Sequence, residues 1–91
     1  MAITVKIPTQ LRAAAGGVSE TEVEGETVGE VLDALFDRHD ELRDRLSDGG
    51  GGLRRFVNVY VDGEDIRFTD GLQTPVADGH EVQILPAVAG G

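Results

Sequence analysis

Apolar and polar residues alternate at the start of the chain. Ile3, Val5 and Ile7 are interleaved with Ala2, Thr4 and Lys6, the period of two that marks a half-buried strand. Pro8 ends that run because it has no N–H to give to a ladder. Leu11 to Gly17 reads as a loop with two glycines for the reversal, and Val18 to Val23 as a second, weaker strand. The period then changes. Val28, Val31, Leu32, Leu35, Phe36, Leu42 and Leu46 recur at spacings of three, four and seven, which predicts one helix with a single apolar stripe. Thr27 and Glu30 have capping-box spacing at its start, where the hydroxyl bonds the N3 amide and the carboxylate reaches back to the cap amide. His39 lies close to the stripe and reads as a half-buried helix residue.

Ser47 to Gly52, SDGGGG, stops the helix and gives a flexible connection. Phe56 to Val61, FVNVYV, is the strongest strand, with the valines on one face and Phe56, Asn58 and Tyr60 on the other. Asp62-Gly63 is a hairpin turn pair, Ile66 to Phe68 a short return strand, and Thr74 to Gly79 a loop that includes a turn at Asp78-Gly79. Glu81 to Leu85 forms the last strand, closed by Pro86. One helix with one stripe must bury it against one sheet. The expected architecture is therefore α+β, a mixed sheet of four to five strands on one main helix.

Composition narrows the function classes. Ninety-one residues make one domain, too small to add a separate cofactor domain. Seventeen acidic against eight basic residues give a net charge of −9. Such a surface repels phosphate backbones and anionic lipid, so neither nucleic acid nor membrane is an expected partner; most of the charge reads as plain solubility, and it would also suit docking onto a basic patch of another protein. Without cysteine, side-chain thiols, disulfides and thiolate metal sites are excluded. The opening MAITVKIPTQ has no signal-peptide core and no stretch approaches a membrane span, so a cytoplasmic location is expected.

Ordinary enzyme chemistry finds little support. His39 and His80 have no metal-pair spacing, and His80 beside Asp78 reads as a solvated turn residue. Ser19 and Ser47 stand in no motif. The glycines at 49–52 lack the lysine and hydroxyl residue of a phosphate loop and read as a linker. Arg54-Arg55 and Lys6, the single lysine, read as surface residues. What stands out is the ending, Ala87-Val88-Ala89-Gly90-Gly91. Five residues beyond Pro86 reach roughly 16–18 Å when extended. Their small side chains suit a narrow channel, with a carboxylate at the tip. A carboxylate becomes a useful electrophile only after activation, for instance as an acyl adenylate.

The segments ITVKIPTQLR at 3–12, RFVNVYVDGEDIRF at 55–68 and VQILPAVAGG at 82–91 resemble the ubiquitin-like sulfur-carrier family, which includes the small subunit of molybdopterin synthase (MoaD) and the thiamine sulfur carrier (ThiS). The similarity spans essentially the whole chain and is strongest to the cysteine-biosynthesis carriers of actinobacteria. It implies a β-grasp (ubiquitin-like) domain over residues 1–86 and a flexible tail over 87–91. It further implies that the chain is not an enzyme but a co-substrate. Gly91, preceded by Gly90, would be adenylated by a ubiquitin-activating-type enzyme and converted to a thiocarboxylate, with Ala87, Val88 and Ala89 entering partner active sites. The implied partners are that adenylating and sulfur-transferring enzyme, a pyridoxal-phosphate-dependent cysteine synthase using O-phosphoserine, and a zinc-dependent peptidase that releases cysteine. ATP and pyridoxal phosphate would belong to those partners, and this chain would bind neither. A modifier forming isopeptide bonds through Gly91, or a donor to molybdopterin, thiamine or a secondary metabolite, are the alternatives; an interaction domain with an inert end is a third. Phe56, Tyr60 and Leu85 on the sheet face away from the valines form either a docking patch or ordinary cross-strand packing.

Overall fold

The computed structural model describes residues 2–47, 52–54 and 57–86. Five strands form one mixed sheet: β1 (Ala2–Lys6), β2 (Glu20–Glu24), β3 (Val57–Val61), β4 (Glu64–Asp65) and β5 (Glu81–Pro86), in the spatial order β2-β1-β5-β3-β4. The first and last strands, whose adjacency the sequence pattern left open, are parallel neighbours at the centre, with Thr4 opposite Glu81 and Lys6 opposite Gln83. β3 runs antiparallel to β5 on its other side, from Val57 opposite Pro86 to Val61 opposite Val82. The chain adopts the expected α+β architecture, and of the expected four to five strands it forms five.

The core lies between one sheet face and the helical layer. Ile3, Val5, Val23, Val59, Val82 and Ile84 point inward and are at most 2% exposed. They meet Val28, Val31, Leu32, Leu35 and Phe36 of α1 (Val28–Arg38), the stripe read from the sequence. Burial of this apolar surface is the main stabilising term. Thr27 caps α1 as expected, its Oγ1 accepting from the Glu30 amide at 3.2 Å. The Glu30 carboxylate accepts from the amide of Glu26, one residue before the cap, rather than from Thr27 itself.

Five elements depart from the sequence reading. The expected single helix is two: α1 ends at Arg38, His39 takes a non-helical φ of −137° and ψ of 82°, and α2 (Asp40–Leu46) follows. A straight helix over 28–46 would run about 28 Å, well past strands of five residues at about 17 Å. The break turns α2 back so that Leu42 and Leu46 are buried at 0% and 1% exposure, with α2 packed on residues 9–15. His39 is half-buried as expected, but at the joint and not inside a helix. The stretch from Leu11 to Gly17, expected as loop, instead supplies most of a 3₁₀ helix over Thr9–Ala15 that buries Leu11, Ala14 and Ala15 and is followed by Gly16 and Gly17 at positive φ. β2 begins at Glu20, leaving Val18 exposed.

The return strand after Asp62-Gly63 is only Glu64–Asp65, and Ile66–Phe68 is a 3₁₀ turn. The Asp65 carboxylate accepts from the Arg67 amide at 2.8 Å, a local bond that competes with the ladder. Asp62 and Gly63 both have positive φ, the type I′ signature of a two-residue hairpin. Pro86 lies within β5 as its last residue rather than beyond it. No helix among the described residues is long and apolar enough to cross a membrane.

Candidate functional site

The end of β5 is the part of the molecule that positions residue 87 and those after it. Backbone groups of Glu81, Gln83 and Leu85 face β3, as the Asp62 amide donating to the Glu81 carbonyl at 2.9 Å shows for the first of them. Those of His80, Val82 and Ile84 face β1, where the Thr4 amide donates to the His80 carbonyl at 3.3 Å. β1 supports β5 only as far as Gln83, whereas β3 follows it to Pro86. Leu85 and Pro86, beyond the last β1 pair, are therefore held on one side alone.

Side chains alternate in the same way. Val82 and Ile84 face the core; Glu81, Gln83 and Leu85 lie on the opposite, solvent-facing side. A row of outer-face residues crosses the sheet from Glu20 through Lys6, Gln83 and Tyr60 to Asp65. Leu85 stands opposite Asn58, diagonal to Tyr60, and is 38% exposed. Two of the three residues expected in a docking patch, Tyr60 and Leu85, are thus brought to one face. Phe56 lies outside the described residues, as do Ala87, Val88, Ala89, Gly90 and Gly91.

Charges on this face are paired. Lys6 Nζ lies 3.1 Å from a Glu20 carboxylate oxygen and 3.9 Å from one of Glu81. The hydrogen bond and charge of Glu20, followed by the charge of Glu81, raise the Lys6 pKa above 10.5. At the far edge, Asp65 holds the Arg67 guanidinium, which also bonds the Asn58 side-chain oxygen. Arg67 lowers the Asp65 pKa below 3.8 through its side-chain and backbone hydrogen bonds, and Asp65 raises that of Arg67.

The two histidines stay apart. His80 is half-buried rather than fully solvated: its Nδ1 accepts from the Ala77 amide at 3.0 Å, and Nε2 lies 3.7 Å from Asp62. Among the described residues no group of three or more His, Asp or Glu side chains is placed to hold a metal ion. Arg54 donates to the Asp44 carbonyl at 3.0 Å, tying the connection to α2, and Arg55 lies outside the described residues. Sequence reasoning missed Arg12, whose Nε donates to the Ile7 carbonyl at 3.1 Å beside the end of β5. A loop assignment for residues 11–17 hid it, since only the 3₁₀ turn brings residue 12 back onto residue 7.

The ThiS family model matches residues 5–91. The sulfur carrier protein CysO of Mycobacterium tuberculosis is 48% identical over 93 aligned positions that take in all of both chains. A chain in the crystal structure of the Amycolatopsis orientalis BexX/CysO complex superposes with a TM-score of 0.90 at 49% identity, covering 99% of this chain and 100% of that one. Small archaeal modifier protein 3 of Haloferax volcanii is 40% identical over 65 residues, 71% of this chain and 70% of its own.

Proposed function

The chain belongs to the ThiS family, and from that premise we propose that it is a sulfur carrier whose Gly91 carboxylate is the reacting group. The observation that carries this reading is the match to the family and to a sulfur carrier protein right through the Gly-Gly ending. The fold supports it, because the described chain reaches Pro86 on a central strand whose last two residues, Leu85 and Pro86, are paired on one side only.

The chemistry is one adenylyl transfer followed by one acyl transfer. A Gly91 carboxylate oxygen attacks the α-phosphorus of ATP on a ubiquitin-activating-type enzyme, and pyrophosphate leaves. Sulfide then displaces AMP from the acyl adenylate to give the thiocarboxylate directly; a persulfide would give an acyl disulfide, which a second thiol on the partner cleaves to release the thiocarboxylate and leave a disulfide. This chain supplies the acyl group and the surface by which it is held; ATP stays with the partner. Delivery to cysteine biosynthesis follows from the likeness to CysO, with a pyridoxal-phosphate-dependent cysteine synthase as acceptor and a zinc-dependent peptidase to release the product. Tyr60 and Leu85 on the outer face, with Phe56, serve as the docking patch. All of these steps belong in the cytoplasm.

A second reading is favoured by one observation, the 40% identity to a small archaeal modifier protein. In that reading the same adenylate is attacked by a lysine of a target protein. Adducts on target lysines in cell lysate would mark it. For the carrier, removal of Gly91 is the direct test. It moves the carboxylate by roughly 3.5 Å, and misplacement by about 1 Å already costs on the order of 100-fold. The truncated protein is expected to fold and to take up no sulfur; normal loading would overturn the proposal.

A further inference from the structure

A cleft of about 260 Å³ opens between the end of β1 and the end of β5, walled by Lys6, Pro8, Arg12, Ser19, Gln83 and Leu85. It exists because the parallel ladder stops. Lys6 faces Gln83 as the last register pair, and two residues on Pro8 has no N–H with which to continue. Arg12 borders this gap in a fixed attitude. Its Nε is tied to the Ile7 carbonyl at 3.1 Å, and its own carbonyl accepts the Gly17 amide at 2.7 Å. The two terminal guanidinium nitrogens are left over from that bond.

Among the described arginines, Arg12, Arg38 and Arg54 donate to backbone carbonyls, and of these Arg12 is the one that borders this cleft. Arg43, Arg45 and Arg67 each hold a carboxylate. Lys6, across the cleft, is compensated by Glu20 and Glu81. Arg12 has no carboxylate among the described residues, in a chain of net charge −9 with acids in excess by two to one. A guanidinium held by its Nε offers a two-pronged fork matched to a carboxylate, and the apolar Leu85 beside it lowers the local dielectric.

We propose that this cleft receives an aspartate or glutamate side chain of the enzyme that processes the C-terminus, with Arg12 as its counter-ion. The inference rests on the carrier reading above. Leu85, which lines the cleft, lies two residues before Ala87 in the sequence. The net negative charge draws in a largely basic partner surface, and one acid among those bases, meeting Arg12, fixes the orientation. Any other acid-bearing orientation is penalised by the glutamates of the outer face.

The test uses the full chain with the adenylating enzyme of the same organism, ATP and a sulfur source. Loading rates are measured for wild type, Arg12→Glu, Arg12→Gln and Arg12→Lys, with melting followed by circular dichroism. Arg12→Glu is expected to raise KM on the order of tenfold with kcat unchanged, and Arg12→Lys to recover part of it. Arg12→Gln keeps an N–H for the Ile7 carbonyl, so it reports on charge should Arg12→Glu fail to fold. If wild type loads and both uncharged and reversed variants load with its KM, this inference fails alone. If wild type takes up no sulfur, the carrier reading fails and takes the inference with it. A concentration-dependent dimer lost in Arg12→Glu would give the cleft to a second copy of the chain and overturn the proposal.

Discussion

Leu85 stands directly opposite Asn58 on the outer face of the sheet, one residue before the end of β5 and diagonal to Tyr60. An apolar side chain 38% exposed at this point is worth explaining by what it meets. Leu85→Glu removes no core contact, so its melting temperature is expected to stay near that of wild type. Its loading by the activating enzyme is expected to slow on the order of tenfold through KM. A folded Leu85→Glu that loads at the wild-type rate would show that the face is not a docking site.

The cap at the start of α1 is a local device with a local cost. Thr27→Ala leaves the Glu30 amide without its side-chain acceptor. A loss of about 1 kcal/mol is expected in urea unfolding, with loading by the activating enzyme unchanged. No loss of stability would mean that the bridge between Thr27 and Pro75 holds this turn without the cap.

Gly25 is required by space and not by backbone angle. A Cβ there would lie 2.8 Å from the backbone nitrogen of Val31 and 3.0 Å from that residue's Cγ2. The nitrogen is fixed in the first turn of α1, where it donates to the Thr27 carbonyl at 3.0 Å. Gly25→Ala is expected to destabilise by about 1–3 kcal/mol, whereas Gly63→Asn, in a turn that only needs positive φ, should be nearly neutral. Equal unfolding midpoints for Gly25→Ala and wild type would contradict the packing account.

Asp65 and Arg67 predict a feature of the pH profile. The folded pKa of Asp65 is held below its ordinary 3.8, first by the Arg67 side chain and then by the Arg67 amide. A carboxylate with a depressed folded pKa stabilises the fold above 3.8, and that contribution is lost as pH falls below it. Lys6 has the opposite sign: its pKa is raised, so its contribution is complete below 10.5 and disappears as pH rises further. Asp65→Asn is expected to melt less steeply with falling pH on the acid side. Superimposable acid limbs for the two proteins would refute the pairing.

Local features of the fold were legible in the sequence; their placement in space was less so. The alternation that makes the strand at Ala2–Lys6, the valine face of β3, the Asp62-Gly63 turn and the Thr27 cap follow from period and turn chemistry, which act over a few residues. The break at His39 was hidden because Leu42 and Leu46 continue the helical spacing from Leu35. Only the limited length of the sheet forces the bend, and no window of sequence contains that length. Residues 9–15 lack a clean period because a 3₁₀ helix buries alanines, Ala14 and Ala15, that carry little hydropathic signal. Asp65 ended the return strand by a side-chain bond two residues on, a choice that apolar Ile66 and Phe68 masked. Of the candidate site, Tyr60 and Leu85 were placed on the right face by alternation alone. The cleft at Arg12 was not, since it depends on β1 lying beside β5.

The measurement that bears most directly on the carrier reading is the intact mass of the protein isolated from its native host, before and after a thiol-alkylating reagent. The chain has no cysteine, so alkylation has no side-chain thiol to report. The expected result is a species heavier by the exchange of one oxygen for sulfur that takes up one alkyl group, placing a thiocarboxylate on Gly91; a further species carrying a cysteinyl residue would identify cysteine as the product. If only the unmodified carboxylate is found, even after incubation with the activating enzyme, ATP and a sulfur source, the chain is not a sulfur carrier.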